Sequence, residues 1–335
     1  MAILKKEFNT FHETIKLKKY QENAGLREKR DMLFDELENA LKDEKIPGTE
    51  TKLTFRRINQ GSYAMNTGIK PKNYDYDIDI GAIFNVTNDE YRSDKLKKLV
   101  RDKLQRANRT VNYNRPCITV EYQTEDYHVD LAVYSNNKED IHIAWGKENS
   151  TEKIWYKSEP EELTEWVAEV SSNPDIAAQF RRCVRYLKKW KEKHFNSDGN
   201  GAPPSIGLTV QARNAFGGVF YEKGDLDTLI GVVTYIKNEF RYCTDPITFE
   251  SKRCIEVNLP LEPYKNVYYK MSLKQQDGFY EKVDALLEAL QTAKNEESDH
   301  KASKILQGVF GDEFPLVEDI KRSESAPYVT TGNSA

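Results

Sequence analysis

The chain has 335 residues, 38% hydrophobic and 31% charged, with 50 Lys plus Arg against 54 Asp plus Glu for a net charge of -4. That length suffices for two domains and buries roughly three quarters of the unfolded surface, while so balanced a charge lacks the global basic excess of a binder of long RNA or DNA. No apolar run approaches the roughly 20 residues of a membrane span, and the N-terminus MAILKKEFNTFHETIKL lacks the unbroken apolar core of a signal peptide. The four cysteines (117, 183, 243, 254) are scattered with no C-x-x-C pair. They read as reduced core residues of a cytoplasmic protein, without a disulfide frame or zinc ribbon.

In chain order, residues 1–46 are charged and helical in pattern. Leu26, Met32, Leu33, Leu37 and Leu41 recur at three- and four-residue spacings, the mark of an amphipathic helix that would back a sheet. Pro47 and Gly48 end it, and residues 52–58 form a first strand that delivers the chain to Gln60, Gly61 and Ser62. Residues 89–108 carry Leu96, Leu99, Val100 and Leu104 on one side, a crossover helix. Residues 141–145 read as a strand and residues 151–170 return to helix, with Ser158 before Glu159 and Pro160 as its N-cap.

The segment 174–195, PDIAAQFRRCVRYLKKWKEKHF, puts Phe180, Val184, Leu187 and Trp190 on one face. Arg181, Arg182, Arg185, Lys188, Lys189, Lys191 and Lys193 surround it as a solvated basic face. Lys188 is the exception: at the border of the buried stripe, it can reach into a cleft. Residues 196–204 are a loop by their Gly, Pro, Asn and Asp content. Ser205 opens the next helix either as its N-cap or as a phosphate seat. Helices at 227–242 and 278–294 flank the turn segment VNLPLEPYKN, a short helix covers 301–309, and the tail KRSESAPYVTTGNSA has few packing residues and should be mobile.

Chemistry concentrates in residues 61–84, GSYAMNTGIKPKNYDYDIDIGAIF. A Gly-Ser turn offers backbone N–H groups and a hydroxyl, suited to a triphosphate, and a polar loop leads into the strand YDIDIGAIF. Side chains alternate along a strand, so Asp77 and Asp79 share a face opposite Ile78 and Ile80. An all-oxygen ligand set of this kind suits Mg2+ rather than Zn2+ or copper. Residues 117–134, CITVEYQTEDYHVDLAVY, read as a hairpin of two strands around a polar turn at 123–126. Asp130 sits in the middle of the otherwise apolar second strand, where a lone carboxylate needs a cation or a donor. Asp75 and Glu121 are further acids near this group and stay outside the proposed triad.

A G-S turn followed by D-x-D in a strand resembles the nucleotidyltransferase superfamily of DNA polymerase beta, poly(A) polymerase and oligoadenylate synthase. That resemblance implies Asp130 as the third metal-site acid beside Asp77 and Asp79. The order of N-terminal helix, QGSY, YDIDIG, YHVDLAVY, RYLKKW, a loop and PPSIGL, with LPLEP and FGDEFP near the end, is similar over nearly the whole chain to the cyclic GMP-AMP synthase/DncV-like nucleotidyltransferases, the CD-NTases of bacterial anti-phage signalling (CBASS). The implied fold is α+β: a polymerase-beta-like mixed sheet backed by helices at 1–160, a helical, oligoadenylate-synthase-like lobe at 161–320 and a tail at 321–335, with the active site in the cleft between the lobes.

The implied activity is synthesis of a cyclic di- or trinucleotide such as cyclic GMP-AMP from ATP, GTP or other NTPs, with pyrophosphate release. Asp77, Asp79 and Asp130 would hold two Mg2+ ions, for which Mn2+ can substitute. Gln60, Gly61, Ser62, Lys188 and Ser205 would grip the triphosphate, with Ser158 carried over from a W-x-x-S-x-P stretch. No zinc-binding insertion is present, so no DNA activator is implied. A ubiquitin-transferase-like partner acting on the C-terminus at Ala335 is a further expectation. The rival readings are an RNA-tailing or linear oligonucleotide transferase, a nucleotidyltransferase toxin or antibiotic-modifying enzyme, and a nucleotide sensor without turnover.

Overall fold

The computed structural model describes residues 4–17, 22–72, 76–123, 127–138, 140–196, 201–217 and 224–319. Its first part runs α1 (Lys5–Ile15), α2 (Glu22–Leu41), β1 (Phe55–Asn59), the short α3 (Gly61–Ala64), β2 (Tyr76–Phe84), α4 (Ser93–Leu104), β3 (Arg109–Tyr113), β4 (Ile118–Tyr122), β5 (Tyr127–Asn137), β6 (Asp140–Trp145) and β7 (Ile154–Lys157). Its second part runs α5 (Pro160–Ala168), α6 (Pro174–His194), α7 (Ser205–Phe216), α8 (Asp225–Asn238), the hairpin β8 (Arg241–Thr244) and β9 (Ser251–Cys254), α9 (Leu273–Asn295) and α10 (Asp299–Phe310).

The first seven strands make one mixed sheet in the order β1-β2-β5-β4-β3, with β6 on β5 and β7 on β6. β2 and β5 are parallel, and parallel neighbours require a crossover, which α4 supplies. Ile78, Ile80, Val129, Leu131 and Val133 point to one side and pack with α2 and α4 residues such as Phe34, Leu37, Leu96 and Val100. The other side of the same strands therefore carries the acids.

One buried charge secures this packing. Lys97 of α4 is 1% exposed, and its Nζ donates to the carbonyls of Asn114 (2.6 Å), Arg115 (2.9 Å) and Ala144 (3.2 Å). It ties the helix to the β3–β4 turn and to β6. Lys97→Met would remove the ammonium donor from the Asn114 and Ala144 carbonyls, while the Arg115 carbonyl keeps the Gly146 amide, and is expected to cost at least about 2 kcal/mol in urea unfolding. A change under about 0.5 kcal/mol, the range of an ordinary surface substitution, would mean that the carbonyls find water instead.

Several elements depart from the expectations. Met32 is 56% exposed while Phe34 is buried, because the inward stripe of α2 passes through 33, 34, 37 and 41. α1 does not back the sheet: Phe8, Phe11 and Ile15 enter the core of the helical part, where Phe11 stacks on Tyr186 at 5.4 Å and lies 5.2 Å from Phe314. Aromatic pairs of this kind add stability beyond the area they bury. The cysteines are not all reduced. The β8–β9 hairpin brings Cys243 and Cys254 into a disulfide with Cα atoms 5.8 Å apart, leaving Cys117 and Cys183 as buried thiols. Asp75, part of the 123–126 turn and of the 196–204 loop, and the tail with Ala335 lie outside the described residues.

Candidate active site in the cleft between sheet and helices

Three carboxylates converge on the sheet face turned away from α2 and α4. Asp79 lies opposite Asp130 in the parallel β2–β5 register, with Asp77 two residues earlier on the same face. One oxygen from each of Asp77, Asp79 and Asp130 falls within 4.8 Å of the others, a geometry able to hold a metal ion. Crowding of like charge marks the same group: burial first, then Asp77 and Asp130, pushes the Asp79 carboxyl up to about 7. Burial also raises Asp130, against the hydroxyl of Thr119 that donates to it. Such mutual repulsion is relieved by a divalent cation, and a set of three carboxylates is the donor chemistry that Mg2+ and Mn2+ prefer. Glu121 is exposed and accepts from Asn112, outside the group.

The Gln60–Ser62 turn lies against these acids. The Gln60 amide donates to the Asp79 carbonyl at 3.2 Å, and its side-chain oxygen accepts from the Tyr134 hydroxyl at 2.8 Å. Gly61 has φ +67°, and a Cβ built there would come within 1.9 Å of Asp79 Oδ2. Only glycine lets the backbone pass so close to the carboxylate.

From the opposite side, α6 reaches into the same space. Arg185, Lys188 and Lys189 are 4%, 7% and 4% exposed, so the basic run is not the solvated face its composition suggests. Lys188 Nζ donates to the carbonyl and hydroxyl of Thr67 at 3.0 and 3.1 Å. Burial, then Arg185 and Lys191, lowers its pKa to about 7, with Asp79 and Asp77 pulling the other way. Arg185 donates to the Asn66 carbonyl (2.5 Å) and to the Gly68 carbonyl (3.1 Å). Its Nη1 meets His12 Nε2 at 3.1 Å. Burial and then Arg185 hold that imidazole down at about 4, so it is neutral and accepts. Asn66 adopts φ +52°, a left-handed conformation that Asn tolerates better than most residues. The 66–69 loop is thus strapped to α6 and, through His12, to α1.

Gln60, Gly61, Ser62, Ser158, Lys188 and Ser205 all line one cleft of about 980 Å³, together with Asp77 and Asp79. This volume is at the upper end for small-molecule sites. Neither serine caps its helix: Glu159 precedes α5 and Pro204 precedes α7, neither with a side-chain cap bond. Pro160 opens α5 and leaves Glu159 at its cap, whereas Pro204 itself stands at the cap of α7 and makes Ser205 its first residue. Ser205 Oγ instead accepts from Lys191 Nζ at 3.0 Å. Lys191 and Thr67 were not among the expected site residues. Lys191 was visible only as one member of the basic run, and Thr67 carries no pattern of its own.

Residues 55–134, which span β1 to β5 and all three acids, match the family described as "Cyclic GMP-AMP synthase DncV-like, nucleotidyltransferase domain". The chain is 27% identical over 212 residues to a cyclic GMP-AMP synthase of Escherichia albertii, a match spanning 60% of this chain but less than half, 45%, of that protein. It is 23% identical over 318 residues to a cyclic AMP-AMP-AMP synthase of an Acinetobacter species, covering 88% of this chain and 82% of the relative. The fold is shared with the crystal structure of Vibrio cholerae DncV cyclic AMP-GMP synthase in complex with the linear intermediate 5' pppA(3',5')pG, with a TM-score of 0.69, 18% identity and coverage of 92% and 97% of the two chains. Among the described residues no helix is long and apolar enough to cross a membrane. The α+β sheet, the cleft and the matched segment give residues 55–134 a nucleotidyltransferase domain similar to that of the DncV-like enzymes.

Proposed function

We propose that the chain joins nucleoside triphosphates into a cyclic di- or trinucleotide, releasing pyrophosphate at each step. The observation that carries this reading is the meeting of Asp77 and Asp79, grouped with Asp130, with a buried lysine across one cleft. Asp77, Asp79 and Asp130 would hold two Mg2+ ions. When bound, these would lower the pKa of the acceptor ribose hydroxyl and neutralise charge on the α-phosphate and leaving pyrophosphate. The chain's own groups position the substrate. The Gly61–Ser62 backbone and the Ser62 hydroxyl face the phosphates from the sheet side, and Lys188, Lys191 and Ser205 face them from the helices. Gln60 is oriented by Tyr134, and Ser158 stands on the wall nearer α5. Positioning and electrostatics supply most of the catalysis in this class of transfer.

Ring closure is a second transfer in the same cleft with the linear intermediate turned around, and DncV crystallised with such an intermediate supports this order. A tailing enzyme needs a basic groove for RNA. The basic run of α6 is largely spent on internal partners: Arg182 pairs with Asp225, Lys189 with Glu192 and Glu313, and Lys193 with the carbonyls of Gln307 and Gly308. That consumption favours free nucleotides over RNA as acceptors. In this reading the product is an anti-phage signal, as the family resemblance implies, and a conjugating partner at Ala335 rests on the same resemblance.

The test is incubation of purified protein with ATP, GTP, CTP and UTP plus Mg2+, followed by phosphatase treatment and mass spectrometry. The expected result is a phosphatase-resistant species with the mass of two or three cyclised nucleotides. Linear, phosphatase-sensitive chains, or no product until RNA or protein is added, would overturn the reading.

A further inference from the structure

Asp130 is held from two sides. On one side β2 places Asp79 opposite it, and on the other β4 places Thr119 opposite it, so Thr119, Asp130 and Asp79 form a row across three strands. Thr119 is 7% exposed, and its hydroxyl donates to Asp130 Oδ1 at 2.5 Å. An ionised carboxylate can only accept, so the single hydroxyl proton goes to Asp130 and the oxygen lone pairs face elsewhere. They accept from Asn114 Nδ2 at 2.8 Å. Asn114 sits at the β3–β4 turn, whose ends are closed by the Asn114 amide donating to the Cys117 carbonyl at 3.0 Å. The same turn is fastened from below by Lys97 at the Asn114 and Arg115 carbonyls. The chain of donors runs from Asn114 through Thr119 to Asp130, and the Cys117 thiol, 3.7 Å from Thr119 Oγ1, joins it there.

A structural role alone would be met by any donor to a buried carboxylate. The choice of a neutral hydroxyl has a further consequence. A Lys or Arg in that place would cancel the charge of Asp130 and compete with a cation, whereas a hydroxyl fixes the orientation of the carboxylate and leaves its charge intact. We propose that Thr119, backed by Asn114, is a positioning residue: it holds Oδ1 of Asp130 so that the other oxygen is presented, with Asp79 and Asp77, to the divalent cation. This inference rests on the metal-dependent reading of the cleft and names two residues that reading leaves out.

The test measures Mn2+ binding to the nucleotide-free protein by electron paramagnetic resonance of the free ion, with circular dichroism melting as a check on folding. Thr119→Val keeps the side-chain shape and removes the donor. It is expected to weaken Mn2+ binding by about 10- to 100-fold, while Thr119→Ser restores affinity close to that of the wild type. In turnover assays Thr119→Val should need correspondingly more Mg2+ for half-maximal rate and should recover at excess Mg2+, which a loss of packing alone would not produce. Unchanged Mn2+ affinity in Thr119→Val, or equal weakening in Thr119→Ser, would overturn the proposal. Should Thr119→Val fail to fold, Asn114→Ala leaves the hydroxyl but frees its rotation, and a smaller weakening in the same direction is expected; unchanged affinity there also overturns it. A wild-type protein that binds no Mn2+ and makes no product would instead remove the metal reading itself, and this inference with it.

Discussion

Asp79→Asn is expected to abolish nucleotide joining, by at least about 10³-fold, and at the same time to raise the melting temperature of the metal-free protein at pH 8. Both effects follow from the crowding of Asp79, Asp77 and Asp130. On the proposed two-metal reading the activity is lost because one carboxylate ligand of the cation would be gone, which removes several kcal/mol of charge stabilisation at about 1.4 kcal/mol per tenfold in rate. The stability gain has the opposite origin. Folding raises the Asp79 pKa to about 7, through burial and then through Asp77 and Asp130.

A carboxyl whose folded pKa exceeds its unfolded value binds more protons folded than unfolded between about 4 and 7, so the fold loses stability as pH rises through that window. Above it the full cost is present, on the order of 2 kcal/mol or more. The amide carries no charge and escapes that cost. Thus the variant should melt above the wild type at pH 8, and the advantage should fade toward pH 4. Added Mg2+ should raise the wild-type melting temperature by mass action and leave the variant nearly unmoved. Full synthesis by Asp79→Asn, or a lower melting temperature at pH 8, would remove Asp79 from the site.

Gly61→Ala should be nearly as damaging to activity while leaving the acids in place. The residue sits at φ +67°, and the added methyl would meet Asp79 Oδ2 at 1.9 Å and its Cβ at 2.6 Å. Backbone strain at such a position costs about 1–3 kcal/mol. The clash can be relieved only by moving the Asp79 side chain or the Gln60–Ser62 turn, and a displacement of about 1 Å in such a site is worth roughly 10²-fold in rate. Product formation is to be measured at a temperature where circular dichroism shows the variant folded. Near wild-type turnover would mean that the turn does not need its close approach to the acids.

Much of the candidate site is legible in the sequence because it depends on neighbours within a few residues. Period-two alternation alone puts Asp77 and Asp79 on one face, and the Gly-Ser turn announces itself by composition. Asp130 is recognisable as an acid in an apolar strand, but its place opposite Asp79 comes from a parallel pairing that joins strands about fifty residues apart in the chain. No local pattern encodes that register.

The same limit explains the misreadings. Charge composition makes α6 a solvated basic face with Lys188 alone turned inward, yet Arg185 reaches Gly68 across 117 residues and Lys189 is 4% exposed. Both are therefore buried in contacts that helical periodicity cannot show. The Cys243–Cys254 bond, eleven residues apart, becomes visible only once the two short strands pair. The N-terminal helix looks like any amphipathic helix until Tyr186, Phe310 and Phe314 gather around Phe8 and Phe11. By itself the sequence determined which residues are candidates for the chemistry and on which local face each one sits, since those follow from backbone geometry and turn chemistry. Only the tertiary structure decided which of them meet, because burial and cross-strand register are set by packing among segments that are distant in the chain.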